Sequence, residues 1–367
     1  MEGLVNPSPE FWAGKVVLLT GHTGFKGAWL QLWLESMGAQ VHGLSLAPDT
    51  TPNLSVQCGL TEGPNSTIGD IRDATLLAEL FGRVRPDVVL HLAAQALVRR
   101  SYVDPIESFS TNVIGTLRVL EAASRCDSVR AAVIITTDKC YENREWIWPY
   151  RETEALGGHD PYSASKACAE IATAAWRSSL GDMPAFRRAG PPLAIATARA
   201  GNVFGGGDWA LDRLVPDFYR ARAKGEPLVI RNPQARRPWQ HVLEPLAGYL
   251  LLAEHLWRGE GQTAYNFGPD QNDVQTVAYI VDRLFGTAQD GRGWVLAEGA
   301  QPHEATFLAL DAAKARAELG WRPRLPLGEG LDWTHEWYKA QSEGHDARAL
   351  TMSQIERYVA MAAAPAA

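Results

Sequence analysis

Two short stretches hold side chains able to move protons: Thr136-Thr-Asp-Lys-Cys-Tyr141 and, further along, Pro161-Tyr-Ser-Ala-Ser-Lys166. Tyr162 and Lys166 lie four apart, hence on one face of a helix. A free phenol with a pKa near ~10 is a poor base at neutral pH. A neighbouring ammonium and a cationic nicotinamide ring are expected to lower that value. Such a pair takes a proton from an alcohol while a hydride departs. Asp138 and Lys139 end a predicted strand, where open α/β sheets place their ligands. A carboxyl there can protonate a leaving hydroxyl while an amine helps withdraw a proton beside a carbonyl. The second pair therefore suggests acid–base elimination, although a solvated turn uses the same residue types. Cys140 adjoins both pairs, lacks a base partner and reads as packing.

The elements that must position these groups alternate strands with helices, as a parallel α/β sheet does. Val16-Val-Leu-Leu-Thr20 is a continuous apolar run, as a strand buried on both faces should be. Further strands are predicted over 41–46, 88–92, 133–137 and 193–198, and helices over 27–37, 74–80, 111–123, 162–180 and 242–255. From about Gly201 the alternation weakens and Pro, Gly, Trp and Arg thicken. The expected architecture is a doubly wound Rossmann-type sheet over 11–200, with the helix near 242–255 returning to it. A smaller C-terminal lobe over 201–345 completes the chain.

Between the first strand and helix runs Thr20-Gly-His-Thr-Gly-Phe-Lys-Gly27, spaced G-x-x-G-x-x-G. Glycines there allow close backbone approach, and the helix N-terminus offers unpaired N–H groups to a pyrophosphate. This assigns Gly21, His22, Thr23, Gly24, Phe25, Lys26 and Gly27 to a dinucleotide, with His22 equally suited to shaping the loop. Asp70 and Ile71 are placed for the adenine side, although Asp70 also suits the N-cap of the helix from Ala74. Ala93, Ala94 and Gln95, at a strand end, face the nicotinamide side. Thr111, Thr136, Tyr162 and Lys166 complete the set. No Lys or Arg occurs between Lys26 and Arg72, so no cation awaits a 2′-phosphate and NAD is favoured over NADP.

Whole-chain numbers permit this reading. The 367 residues, 46% of them hydrophobic, can bury a large core. A net charge of −7 with no basic run argues against a general nucleic-acid binder. The first twelve residues show no secretory pattern, and no run approaches the ~20 apolar residues of a membrane helix. Cys58, Cys126, Cys140 and Cys168 have no C-x-x-C spacing, which points to reduced thiols in a cytoplasm rather than disulfides or a metal site.

With these residues assembled, the chain resembles the extended short-chain dehydrogenase/reductases and, within them, the CDP-glucose 4,6-dehydratases, from about Phe11 to Trp337. Besides the glycine loop, the carriers are Thr137-Asp-Lys-Cys-Tyr-Glu-Asn143, Glu145-Trp-Ile-Trp148, Asp160-Pro-Tyr-Ser163, Arg199-Ala-Gly-Asn-Val203, Gly205-Gly-Gly-Asp-Trp209 and Arg237-Pro-Trp-Gln-His241. The resemblance implies oxidation of a nucleotide sugar at C4, loss of water across C5 and C6, and return of the hydride to C6, with NAD regenerated. It gives Tyr162 the 4-hydroxyl proton, Thr137 the alignment of that hydroxyl, Lys166 the support of Tyr162, and Asp138 the departing water. Sugar dehydratases for other nucleotides usually carry Asp-Glu where this chain has Asp138-Lys139, which leaves the C5 base open. For the nucleotide diphosphate the resemblance points to Asn202, Leu214, Arg231, Arg237, Asn266 and His303. Of these, Arg237 also suits a pyrophosphate on chemistry alone. It further implies a homodimer, or a dimer of dimers, paired through helices 111–125 and 162–180. A nucleotide-sugar 4-epimerase would share the glycine loop, Thr137, Tyr162 and Lys166 without needing Asp138-Lys139. A non-catalytic scaffold would need none of them.

Overall fold

The computed structural model describes residues 5–180, 186, 190–288, 293–299 and 305–362. Its centre is one seven-stranded sheet: β1 (Val16–Thr20), β2 (Gln40–Ser45), β3 (Ser66–Ile68), β4 (Val88–His91), β5 (Ala131–Ile135), β6 (Ala194–Ala200) and β7 (Ala264–Phe267). All neighbours pair in parallel in the order β7-β6-β5-β4-β1-β2-β3. The order reverses at β1, which lies between β2 and β4, and such a switch point opens a crevice at the carboxyl ends of the strands.

Successive residues of each strand feed opposite cores, which is why these strands read as unbroken apolar runs. Val17 and Leu19 of β1 join one cluster, with Trp29 and Trp33 of α1 (Phe25–Ser36). Leu18 between them joins the other, with Leu77 and Leu80 of α2 (Ala74–Val84) and Val119 and Leu120 of α3 (Thr116–Arg125). Behind α3 runs α4 (Pro161–Ser179), capped by Asp160, whose carboxylate accepts from the Ser163 N–H at 2.9 Å. The next helix is α5 (Leu214–Lys224), and α6 (Leu243–Trp257) packs back on β5 and β6, as the sequence predicts. The last two, α7 (Leu327–Ser342) and α8 (Ala347–Met361), pack on each other, and α8 also packs on α1.

Much of the tryptophan excess has a structural explanation. Trp12, Trp29, Trp33, Trp321, Trp333 and Trp337 are almost wholly buried where these C-terminal helices and α6 meet α1. Buried indoles find acceptors for their N–H: Trp29 donates to the Gly206 carbonyl at 2.9 Å and Trp321 to that of Glu244 at 3.0 Å.

Two predicted elements are displaced. The strand expected over 133–137 ends at Ile135, and Thr136 and Thr137 leave the sheet. Thr137 caps a short 3-10 turn over Asp138–Cys140 by accepting from the Lys139 N–H at 3.3 Å. The helix expected over 111–123 is in part a wider π turn, Ser110–Gly115, before α3 begins. Two strands, β3 and β7, were not predicted. β7 lies in the half assigned to the C-terminal lobe yet completes the central sheet.

Candidate active site

A single cavity of about 1690 Å³ runs from the glycine loop across the carboxyl ends of the strands. The loop is tight enough to need glycine at two points. Gly21 has φ +81°, and a Cβ there would lie 2.8 Å from the Ala93 nitrogen; one on Gly27 would lie 2.1 Å from the Gly21 carbonyl oxygen. The bare backbone before α1 is therefore a cradle that a side chain would fill, as a pyrophosphate requires. Gly21, Thr23, Gly24, Phe25, Lys26 and Gly27 all face the cavity.

His22 does not. It is completely buried beneath the loop, bonded through Nε2 to Ser66 Oγ at 2.8 Å and packed against Gly43, and burial lowers its pKa. Its assignment to the cofactor is corrected to loop shaping, because β3 takes up its ring. Asp70 and Ile71 do line the cavity, but Asp70 is not a helix cap. Asp73 caps α2, accepting from the N–H groups of Thr75 and Leu76, while Asp70 binds Arg72 at 2.9 Å. Ala93, Ala94, Gln95, Thr111 and Thr136 line the middle of the cavity. Between Ser45 and Asn53 the wall carries no cation, so nothing there would attract a 2′-phosphate.

The five residues predicted to do chemistry, Thr137, Asp138, Lys139, Tyr162 and Lys166, come together on one wall. Asp138 is fully buried. Its Oδ1 accepts from Thr137 Oγ1 at 3.0 Å, and its Oδ2 has no partner among the described residues. Gly201 leaves room for that carboxylate, since a Cβ there would approach Oδ2 to 2.2 Å. Lys166 donates to the Ile135 carbonyl at 3.2 Å; burial draws its pKa down to about 8, opposed by Glu170.

The expectation for Tyr162 is reversed. Burial pushes its pKa up to about 12, helped by the Asp138 charge, against a hydrogen bond from Thr137 and the Arg213 guanidinium. Desolvation outweighs the cations, and Lys166 spends its ammonium on a backbone carbonyl. Cys140 is buried packing, as expected, and burial raises its thiol pKa well above the ordinary value.

Of the six residues assigned to the nucleotide diphosphate, Asn202, Leu214, Arg231 and Arg237 line the same cavity. Asn202 adopts φ +23°, and its buried Oδ1 lacks a protein partner among the described residues. Asn266 is a correction. It is wholly buried away from the cavity, its amide donating to the carbonyls of Tyr150 (2.9 Å) and Asp311 (3.1 Å) and accepting from Tyr141 Oη at 2.7 Å. It rivets β7 to the loops beside it. His303 lies outside the described residues.

The sequence reading missed several neighbours of the site. Asn112, in the π turn, accepts from the Gln95 N–H at 2.9 Å and donates to its carbonyl at 3.0 Å and to Ser165 Oγ at 2.8 Å. It thereby ties the β4 loop to α4. An asparagine in an otherwise amphipathic helical stretch was the available signal. Arg213 pairs with Asp208 at 3.1 Å and acts on the Tyr162 phenol. Lys26, assigned only to the cofactor, stands within electrostatic reach of Asp138, Asp208, Lys166 and Arg213, and burial brings its pKa to about 7.

Fold and site together define an extended short-chain dehydrogenase/reductase built for nucleotide sugars. Residues 18–334 match the GDP-mannose 4,6 dehydratase family, and the chain belongs to that family. It is 47% identical over 353 residues to a CDP-glucose 4,6-dehydratase of Salmonella typhimurium, covering 95% of this chain and 98% of that protein. A dTDP-glucose 4,6-dehydratase of Xanthomonas campestris is 29% identical, over 88% of this chain and 92% of that one. Among solved structures, the dTDP-glucose 4,6-dehydratase DesIV of Streptomyces venezuelae, with NAD bound, superposes with TM-score 0.75 at 26% identity, covering 90% of this chain and 99% of that one. An epimerase from Methanothermobacter thermautotrophicus superposes with TM-score 0.79 at 26% identity, covering 91% and 95%.

Proposed function

We propose that the chain is an NAD-dependent CDP-glucose 4,6-dehydratase, converting CDP-D-glucose to CDP-4-keto-6-deoxy-D-glucose and water. The observation that carries this reading is Asp138. Its buried carboxylate has one oxygen free of protein partners, on the wall that also presents Tyr162 and Lys166. An epimerase needs the phenol and the ammonium but no such acid.

NAD, when bound along the glycine loop, supplies the hydride acceptor and later the hydride donor. Tyr162 takes the proton of the sugar 4-hydroxyl, Thr137 aligns that hydroxyl, and Lys166 supports the phenol. Asp138 gives a proton to the hydroxyl leaving C6. The C5 proton, acidified by the adjoining carbonyl, goes to an amine. Lys139 is the first candidate, and Lys26, poised near neutrality, is the second. Asn202, Leu214, Arg231 and Arg237 form the nucleotide-diphosphate wall, with the guanidiniums suited to phosphate oxygens. Residues 11–200 serve chiefly the cofactor and 201–345 chiefly the nucleotide sugar.

The enzyme works in the cytoplasm as a homodimer. Its four cysteines are all free, and no helix among the described residues is long and apolar enough to cross a membrane. An exposed apolar strip on helices around 103–114 and on α4, with Ile106 76% and Ile171 56% exposed, suits a second copy of the same surface. Incubation with CDP-glucose and NAD, followed by product mass, tests the activity. Loss of one water without net NADH is the expected result. Product of unchanged mass with altered stereochemistry would instead make the chain an epimerase.

A further inference from the structure

The proposed reaction returns its hydride but leaves a proton imbalance on the protein. Over one turnover Tyr162 gains the proton of the 4-hydroxyl, and Asp138 loses one to the departing water. The C5 proton is removed and later restored. A proton must therefore pass from Tyr162 to Asp138 in every cycle. The three groups concerned are almost shut off from water, at 8% exposure for Tyr162, 5% for Thr137 and 0% for Asp138.

Thr137 stands between the other two. Its hydroxyl donates to Asp138 Oδ1 at 3.0 Å, and the Tyr162 phenol faces the same hydroxyl as a hydrogen-bonding neighbour. We infer that Thr137 is a proton bridge, so that oxidation at C4 itself loads Asp138 with the proton it needs for dehydration. As the C4 O–H bond breaks, its proton bonds to the Tyr162 oxygen. The phenolic proton then passes to Thr137 Oγ1, and the threonine proton to Asp138 Oδ1. The two electrons leave with the C4 hydride to the nicotinamide named above. Asp138, now a neutral acid, yields a proton to the C6 hydroxyl as the C6–O bond breaks, which returns it to a carboxylate.

Two further observations support the bridge. A phenol with a pKa near 12 is ionised at neutral pH in only on the order of one molecule in 10⁵. A relay never needs the free phenolate. In addition, only Oδ1 of the carboxylate is anchored. Aspartate turns easily about Cβ–Cγ, and Gly201 keeps that space open, so a half-turn brings the loaded oxygen to the substrate side. The charged and titratable groups around the relay are Lys26 from the glycine loop, Asp160 and Lys166 on α4, the Asp208–Arg213 pair, and Tyr249 on α6.

The inference rests on the dehydratase reading, and its test separates the two. Wild type, Asp138→Asn, Thr137→Val and Thr137→Ser, each with NAD, are mixed with CDP-glucose, and NADH absorbance is followed in the first turnover across pH. With the relay, Asp138→Asn and Thr137→Val slow C4 oxidation itself by about a hundredfold or more at neutral pH. Both then recover as pH rises toward the phenol's own range, and Thr137→Ser stays near wild type. If Asp138→Asn forms NADH as fast as wild type and stalls there, the relay is wrong while the dehydratase stands. A second readout needs no cofactor: ultraviolet titration of the tyrosines, with Tyr162→Phe as the difference. Asp138→Asn should move the Tyr162 transition down, and an unmoved transition overturns the coupling. No product from CDP-glucose or any other nucleotide hexose with wild type would instead remove the reading beneath it.

Discussion

Removing Arg199 should be among the most damaging single changes in the chain, although it touches neither cavity nor surface. Arg199 sits within β6, and its Nη2 meets Glu170 Oε2 at 2.8 Å, with the two side chains 4% and 3% exposed. Its Nη1 donates to Tyr141 Oη at 2.7 Å and to the Glu152 carbonyl at 3.2 Å. Glu170, one helical turn beyond Lys166 on α4, also accepts from the hydroxyls of Thr136 and Thr197. The pair thus fastens α4 to β6 and to the loop that carries Thr137 and Asp138. Arg199→Met would strand a carboxylate in the core, a loss of about 3–5 kcal/mol when one partner of a buried pair is removed. Arg199→Met with Glu170→Met removes both charges. It should recover much of that loss, keeping a deficit of about 1–3 kcal/mol for the hydroxyls left unpaired. Urea unfolding of wild type, both single variants and the double variant measures this directly, read from midpoints at constant slope. A single-variant loss below about 1 kcal/mol, or a double variant as unstable as the sum of the singles, would refute the reasoning.

Gly27→Ala should abolish NAD binding, read by quenching of tryptophan fluorescence, because its Cβ would lie 2.1 Å from the Gly21 carbonyl. Gly82→Ala is the control: it meets open space on α2 and should leave binding intact while stabilising the fold by about 0.5–1 kcal/mol. Glu244 is held up to about 7 by burial, opposed by the N–H groups of Arg324 and Leu325 and by Tyr358. The folded chain therefore binds this proton where the unfolded chain has released it, so stability falls as pH rises from about 4.5 to about 7. Glu244→Gln should flatten the stability–pH curve across that window by up to ~1.4 kcal/mol per pH unit. Ile106→Glu places a charge in the exposed apolar strip and should give monomers in sedimentation without lowering the melting temperature; persistence of dimers would move the interface elsewhere.

What could be read from the sequence was local. The runs at β1 and β4 announced themselves because residues feeding both cores leave no polar position to interrupt them. The glycine loop and the Tyr162–Lys166 spacing need only a few consecutive residues to be recognised. β3 is three residues at the sheet edge, half-exposed, with no apolar run to find. Helical periodicity also looked unbroken through Asn112, because one extra residue in a turn barely disturbs a pattern of 3.6. The misassigned residues failed for a different reason. His22 is claimed by Ser66 and Asn266 by Tyr141, Tyr150 and Asp311, partners far along the chain that no local motif reports.

The reversal at Tyr162 belongs to the same class and carries the larger consequence. Spacing shows that Lys166 shares a helix face with the phenol. It does not show that the Ile135 carbonyl takes the ammonium, or that the wall is closed enough for burial to dominate. A pKa is set by everything that packs around a group, so it was the property of this site least legible from neighbours in sequence. Burial that makes Tyr162 a reluctant base also concentrates its interaction with the few polar groups that remain, and Thr137 and Asp138 are two of them. The same desolvation that defeats the simple phenolate reading therefore favours proton transfer along a fixed chain of side chains over exchange with solvent.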